Sequence, residues 1–151
     1  MSSTNNKSIV VREVEADEAF NHVFTIRTKV FVDEEAVSQE DEYDGFDHLS
    51  RHFLAWYEGT PVGAARLRKL LVSGKIRLER FAVLKEYRKK GIGSAILETL
   101  LESVPASTEI YVHVQLYNID FFRKRSFEVD SEEFEEAGIQ HVRMVYRGKG
   151  V

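Results

Sequence analysis

Cysteine is absent from this chain of 151 residues. That excludes disulfide staples, thiolate metal sites and a cysteine nucleophile, and it is compatible with a reducing compartment. No stretch approaches the ~20 apolar residues that a membrane span needs. The opening MSSTNNKS has no apolar centre and is no secretory signal; residues 1–8 read as a disordered lead and residues 9–151 as one domain. The basic surplus of a nucleic-acid binder is missing too: 21 Lys and Arg stand against 25 Asp and Glu, a net charge of −4. Neither nucleic acid nor membrane is an expected partner, and the expected location is intracellular, in the cytoplasm. Repeats and low-complexity linkers are also lacking. What remains is a globular balance, 43% apolar and 30% charged. A chain of this length can bury roughly two thirds of its unfolded surface around one core.

Residues 76–101, IRLERFAVLKEYRKKGIGSAILETLL, organise the chain. Ile76, Leu78, Phe81 and Val83 fit a buried strand whose alternation breaks once, near Arg80. A basic turn follows, from Arg88, Lys89 and Lys90 to Gly91. Ile92, Ala95, Ile96, Thr99 and Leu100 then line one side of a helix that stops before Pro105. The first N–H groups of such a helix lack intrahelical partners and lie at the positive end of its dipole. Glycine at 91 and 93 lets backbone approach a phosphate closely. Arg88, Lys89, Lys90, Gly91, Ile92, Gly93 and Ser94 therefore form a candidate anion cradle.

Spacing narrows the choice of phosphate-binding turn. A Walker turn needs G-x-x-x-x-G-K-[ST], and no glycine lies five residues before Gly91. A dinucleotide fingerprint needs Gly or Ala in its sixth place, where Ile96 stands. What is left is R-x-x-G-x-G between strand and helix. At this point LERFAVLKEYRKKGIG resembles the GNAT N-acetyltransferases, and in particular the small ElaA/YjcF-like branch. Two further strings are similar to that family. VQLYNIDFFRKRSF resembles its strand-loop-helix signature through Gln115, Asn118, Phe121 and Phe127, and EEFEEAGIQH resembles the branch's closing string. Phe122 departs where tyrosine is usual, and Ser126 where glycine is usual. The resemblance runs from about residue 30 to 146.

Read in order, the chain alternates elements. Residues 9–14 are a strand. Asp17 caps a helix whose Phe20, Val23, Phe24, Val30 and Phe31 form a core-facing stripe. Residues 53–57, 62–71 and 76–83 make two hairpins, residues 109–114 another strand, and Asn118 opens a short helix. Residues 127–129 and 141–147 are the last strands, separated by an acidic segment. The fold expected is α/β: a single domain with a mixed, mostly antiparallel sheet of about seven strands flanked by helices. That element order is also the one the resembled family uses.

The acidic segment 33–47 fails as a calcium loop. With Gly45 sixth, Glu40, Glu42 and Asp44 take ligand places, but Arg51 falls where a bidentate glutamate belongs. It reads either as a solvated loop or as a negative lip for a cationic substrate, with Asp44 as a charge and Tyr43 and Phe46 as apolar contacts. His48 and His52 stand four apart but lead into a strand rather than lie on a helix, His141 is remote in sequence and no cysteine helps, so no metal site is expected.

The resemblance implies acetyl-CoA as cosubstrate and a small or peptide amine as acceptor; a homodimer is compatible with it. It implies that the backbone of Phe81, Ala82 and Val83 pairs with the pantetheine arm, and that Asn118, Phe121 and Phe122 complete the cofactor site. A bulge near Arg80 would open the slot. For the base, Glu79 stands first: a desolvated carboxylate there would have a raised pKa. Its alternative is an ion pair with Arg66 or Arg68. His141 comes next. His113, in the apolar IYVHV, reads as a core residue. Tyr117 is the candidate acid in place of the missing tyrosine hydroxyl at Phe122. The expected activity is N-acetyl transfer by direct attack of a primary amine on the thioester, and the alternative is a catalytically weak CoA-binding or protein-interaction module.

Overall fold

The structure, a computed structural model, describes residues 8–15 and 17–148. The expected disordered lead, apart from Ser8, lies outside the described residues. Strand β1 (Ile9–Glu13) is followed by helix α1 (Asp17–Arg27), which widens without a break into a π-helical turn, Thr28–Glu34. Asp17 is the first residue of α1 rather than its cap. A single turn, α2 (Gln39–Glu42), is capped by Ser38, whose Oγ accepts from the Asp41 amide. The meander β2 (Arg51–Tyr57), β3 (Thr60–Lys69) and β4 (Ile76–Val83) leads to α3 (Ile92–Glu102) and β5 (Ile110–Gln115). Helix α4 (Ile119–Arg123) and strands β6 (Phe127–Val129), β7 (Phe134–Glu136) and β8 (Ile139–Tyr146) complete the order.

The strands form one mixed sheet, β1-β2-β3-β4-β5-β8-β6, with β7 paired to the outer part of β8. The β4–β5 ladder alone is parallel among those described. This is the α/β sheet expected, with eight strands instead of seven. The extra strand is β7, inside the stretch read as an acidic connection. Its turn residues, Ala137 and Gly138, both have positive φ, +53° and +78°. That pair matches the right-handed twist of a two-residue hairpin. Alanine in the first place hides the signal that Asn-Gly would have given.

Two apolar clusters sandwich the sheet. On one face Ile92, Ile96, Leu97 and Leu100 of α3 pack on Phe53, Leu67, Leu78, Val112 and Met144. On the other, Val23, Ile26 and Val30 pack on Leu54, Ala64 and Ala82. Alanine at the latter positions leaves room for the helix to approach. Two residues along β3 from Ala64 stands Arg66, paired across the ladder with Glu79. From here toward β5 the second face changes from apolar to ionic.

Two departures from a regular sheet shape this region. The β3–β4 register jumps from Ala64↔Ala82 to Arg66↔Glu79, so Arg80 and Phe81 oppose Ala65 alone. Arg80 takes φ of +59°, as a bulge requires. Secondly, β4 and β5 pair only from Ile76 to Leu78 against Ile110 to Val112. From Glu79 onward, β4 has no ladder partner on its β5 side.

Candidate active site

The gap between β4 and β5 ends at the N-terminus of α3. Gly91 caps that helix with φ of +87° and no side chain supplies a cap hydrogen bond, so the first amides, of Ile92, Gly93 and Ser94, keep their N–H groups open. Glycine is required at 91 because a β-carbon is strained at that φ. Lys89 and Lys90 are exposed beside the turn, and Lys90 Nζ lies 5.4 Å from the Tyr57 ring centre. Arg88 behaves differently from the expectation that it offers free charge. Its two Nη atoms donate to the carboxylate of Glu34 at 2.7 Å each, and its Nε donates to the Val83 carbonyl at 2.9 Å. It joins the π-helical turn to the end of β4.

A different arginine covers the helix mouth. Arg125 reaches back from beyond α4, with its guanidinium 4.0 Å from the Phe121 ring centre. Its Nε lies 3.3 Å from Ser94 Oγ, and its Nη1 donates to the Phe121 carbonyl at 2.8 Å. Phe121 in turn faces Gly93, where an added Cβ would sit 3.6 Å from the ring, an ordinary contact. Sequence reasoning missed Arg125 because only the hairpin between α4 and β6 folds it back onto α3. Ser126, with φ of +74°, makes that turn and explains why glycine suits this position.

Phe81 and Phe122 meet edge to face at 5.7 Å across the gap, and Phe122 also meets Phe121 and Phe127 at 5.1 and 5.3 Å. Phe122 is thus buried by ring packing alone. Ala82 points into the α1-side cluster, and Val83 lies beside the turn. Asn118 lines the gap.

Beyond the rings the gap opens into a cavity of about 350 Å³. Its walls include Glu35, Asp41, Glu42 and Asp44 from the α2 side, Arg77, Glu79 and Arg80 from β4, His113 and Gln115 from β5, and Glu136 and His141 from the β7–β8 hairpin. Tyr43, Phe46 and Tyr117 are not among the residues that line it. The Tyr43 hydroxyl bonds to Thr28 Oγ1, and Phe46 lies under Arg68 at 4.3 Å. Tyr117 is 72% exposed. Burial of its hydroxyl and the neighbouring Glu35 charge hold its pKa above the usual tyrosine value. Tyr117 lies beside Glu35 rather than in the cavity wall itself.

Glu79 is 6% exposed and its carboxylate is crowded by three arginines. Arg66 and Arg68 donate to Oε2, and Arg77 Nε lies 3.0 Å from Oε1. Burial alone would raise its pKa, but the charges of Arg77 and Arg66 and the Arg68 hydrogen bond outweigh it and hold the carboxyl below its ordinary value. This corrects the expected raised pKa: the ion-pair alternative describes Glu79.

Three acids of the acidic segment are built in rather than solvated, while Asp33, Glu34, Glu40 and Asp41 are exposed. Glu42 is buried against Arg27 and Arg80, and Asp44 and Asp47 receive Arg66 from two sides at 2.7–2.9 Å. Asp44 lines the cavity with its charge already matched, so it is no free lip. Against burial, the hydrogen bonds and charges of Arg66 and Arg27 keep Asp44 and Asp47 below the usual aspartate range.

The histidines behave differently from expectation. His113 is not a core residue: its Nδ1 lies 3.2 Å from Glu136 Oε1, at the cavity wall. His141 Nδ1 lies 2.7 Å from the Ile139 carbonyl. A carbonyl only accepts, so Nδ1 carries the proton and Nε2 is left as an acceptor. No group of three or more metal-ligating side chains occurs among the described residues, and no helix there is long and apolar enough to cross a membrane.

Comparison with known proteins bears on the family and the fold. The profile of the acetyltransferase (GNAT) domain matches residues 12–147. YyaT of Bacillus subtilis is 35% identical over 139 residues, covering 89% of this chain and 93% of its own. YjcF of the same organism, an uncharacterised N-acetyltransferase, is 33% identical over 132 residues, with 85% and 93% covered. Among solved structures, Escherichia coli ElaA superposes with a TM-score of 0.82 at 23% identity, over 92% of this chain and 99% of that one. A protein of Elizabethkingia anophelis, solved with acetyl-CoA bound, gives 0.67 at 14% identity, over 92% and 95%.

Proposed function

The chain belongs to the GNAT acetyltransferase family, and from that premise we propose that it moves an acetyl group from acetyl-CoA to a primary amine by direct attack. The observation that carries this reading is the gap in the sheet. Between Glu79 and Val83 the β4 backbone lacks a neighbour on its β5 side, the gap runs from the open amides of α3, and it ends in a cavity that is partly open to solvent.

The residues present fit the cosubstrate. The open N–H groups of Ile92, Gly93 and Ser94 would take the pyrophosphate, with Arg125, Lys89 and Lys90 as cations. The backbone of Phe81 and Val83, which has no strand partner on the β5 side, would hydrogen-bond the pantetheine arm as a strand would. When bound, acetyl-CoA supplies an activated acyl thioester. A β4 amide at the bulge would donate to the carbonyl oxygen as negative charge develops there.

His141 then serves as the base. Its Nδ1–H is committed to Ile139, so Nε2 offers a lone pair inside the cavity. Glu79 instead fixes the arginine cluster behind the wall. No tyrosine lines the cavity, so the departing thiolate leaves without a tyrosine acid. A thiol pKa of about 8.5 makes that tolerable. The acceptor is a small amine or an exposed amino group of a peptide.

Phe122 favours one other reading, a CoA-binding module with little turnover. Acetyl-CoA consumption across a panel of primary amines, with CoA affinity measured alongside, separates the two. Turnover with several amines supports the enzyme. Tight CoA binding without turnover supports the module, and absence of both overturns the cradle.

A further inference from the structure

Glu136 Oε1 and His141 Nε2 stand 4.0 Å apart at the cavity wall. That is too long for a hydrogen bond between them. It is the spacing at which one nitrogen can donate to both: with donor–acceptor distances of about 2.7–2.8 Å, the two bonds diverge by roughly 90–95°, near the spread of N–H bonds on a tetrahedral nitrogen. We propose that Glu136 and His141 together hold the acceptor's ammonium, so that Glu136 is a catalytic residue in contact with a primary aliphatic ammonium. The assignment rests on the acetyl-transfer reading given above.

The fold holds both groups in place. In the β7–β8 hairpin Phe134 opposes His141 and Glu136 opposes Ile139, which puts Glu136 and His141 on one face. Phe134 stacks on the His141 ring with centres 6.0 Å apart. Arg77 Nη2 donates to Glu136 Oε2 at 3.1 Å, and His113 Nδ1 donates to Oε1 at 3.2 Å. That His113 bond, opposed by burial and helped by the Arg77 charge, lowers the Glu136 pKa to about 2 and keeps the carboxylate anionic. The other charged groups near the pair have partners of their own: Arg77 also meets Glu79 on β4, and Asp44 is held by Arg66 and Arg80. Glu35 lies on the opposite wall, where it accepts from Gln115.

The chemistry balances. One ammonium proton passes to His141 Nε2 while Glu136 retains a second N–H as acceptor. The freed lone pair forms the C–N bond with the acyl carbon, the C–S bond breaks, and its electron pair leaves on sulfur. Of the two protons lost by nitrogen, one ends on the thiol and one in solvent.

The test compares propylammonium with trimethylpropylammonium, which has the same charge and no N–H. Ring signals of His141, assigned from the spectrum of His141→Asn, are followed by NMR as each is added to wild-type protein. Propylammonium should shift them and the quaternary ion should not; equal responses, or none, overturn the proposal. This readout needs no turnover, so it stands apart from failure of the acetyl-transfer reading. With an amine that the protein acetylates in hand, Glu136→Gln should raise the KM for that amine about tenfold or more and leave CoA affinity unchanged. His141→Asn should instead lower kcat by about 10²–10⁴. Unchanged KM in Glu136→Gln overturns the role of Glu136.

Discussion

The guanidinium of Arg66, with no exposed surface, donates to Glu79 across the β3–β4 ladder and to Asp44 and Asp47 on the segment that crosses above it. One side chain thus ties the strand that borders the gap to the wall that faces it. Each anion loses its hydration on folding and regains it as charge-assisted hydrogen bonds.

Glu79→Gln should therefore act on stability more than on chemistry. Removing one charge from a buried pair leaves its partners uncompensated, which costs about 3 kcal/mol or more. For a domain of this size that is a fall in Tm of about 6–12 °C. Specific activity of the folded fraction should stay within about tenfold; a larger loss at unchanged Tm would restore Glu79 as a base.

At the cradle, the two arginines should separate. Arg125→Ala should weaken CoA binding about tenfold by calorimetry, because it removes a cation poised over the open amides. Arg88→Ala should weaken it less, since Arg88 is paired with Glu34. Gly91→Asp should abolish measurable binding through backbone strain and repulsion, and Lys69→Ala should change nothing. An Arg88 effect larger than that of Arg125 would mean that Arg88 exchanges Glu34 for phosphate.

Phe122→Tyr adds one hydroxyl to a ring that borders the cavity. The surrounding rings stay packed, so the fold should be kept. With Tyr117 turned outward and no tyrosine in the wall, single-turnover acetyl transfer should accelerate about tenfold. No change would show that thiolate departure does not limit the rate.

Acid should unfold the protein in a definite window. Glu79 and Glu136, Asp44 and Asp47 all have folded pKa values below their unfolded ones. Below the lower values both states are protonated and the contribution is gone; above the unfolded values it is fully present. Burial also holds His52 below the usual histidine value, so Tm should slip as pH falls through about 6.5 and then fall steeply from about pH 4.5 toward 2. Glu136→Gln should flatten part of that fall.

Much of this was legible in the chain. The run from Ile76 to Leu101 announced strand, glycine turn and helix, and the interrupted alternation at Arg80 marked the bulge. What failed to show was anything that depends on where a charge finds its partner. Glu42 and Asp44 look solvated in a string of acids, yet Arg27, Arg66 and Arg80, distant in sequence, draw them inward. For Glu79 the neighbouring strand offered Arg66 and Arg68 as partners, and Arg77, two residues before it on β4, joins them. Arg125 and Glu136 depend on turns with positive φ at Ser126 and Ala137, residue types that do not advertise that conformation. His113 looked apolar because its neighbours on the strand face the other side of the sheet.

Three rungs join β4 to β5, and they are the whole of the direct strand pairing between residues 9–83 and residues 110–146. The sheet is therefore two panels hinged along a short seam, with the later part of the seam left unstitched. On the proposed reading, the pantetheine arm lies along that open length and bonds to both edges. Its presence would complete the sheet as well as supply chemistry: the open length of the seam would become a continuous ladder. The amides of Phe81, Val83 and Gln115 would then exchange with solvent far more slowly in the presence of CoA, while those of β1 and β2, at the far edge of the first panel, would keep their rates.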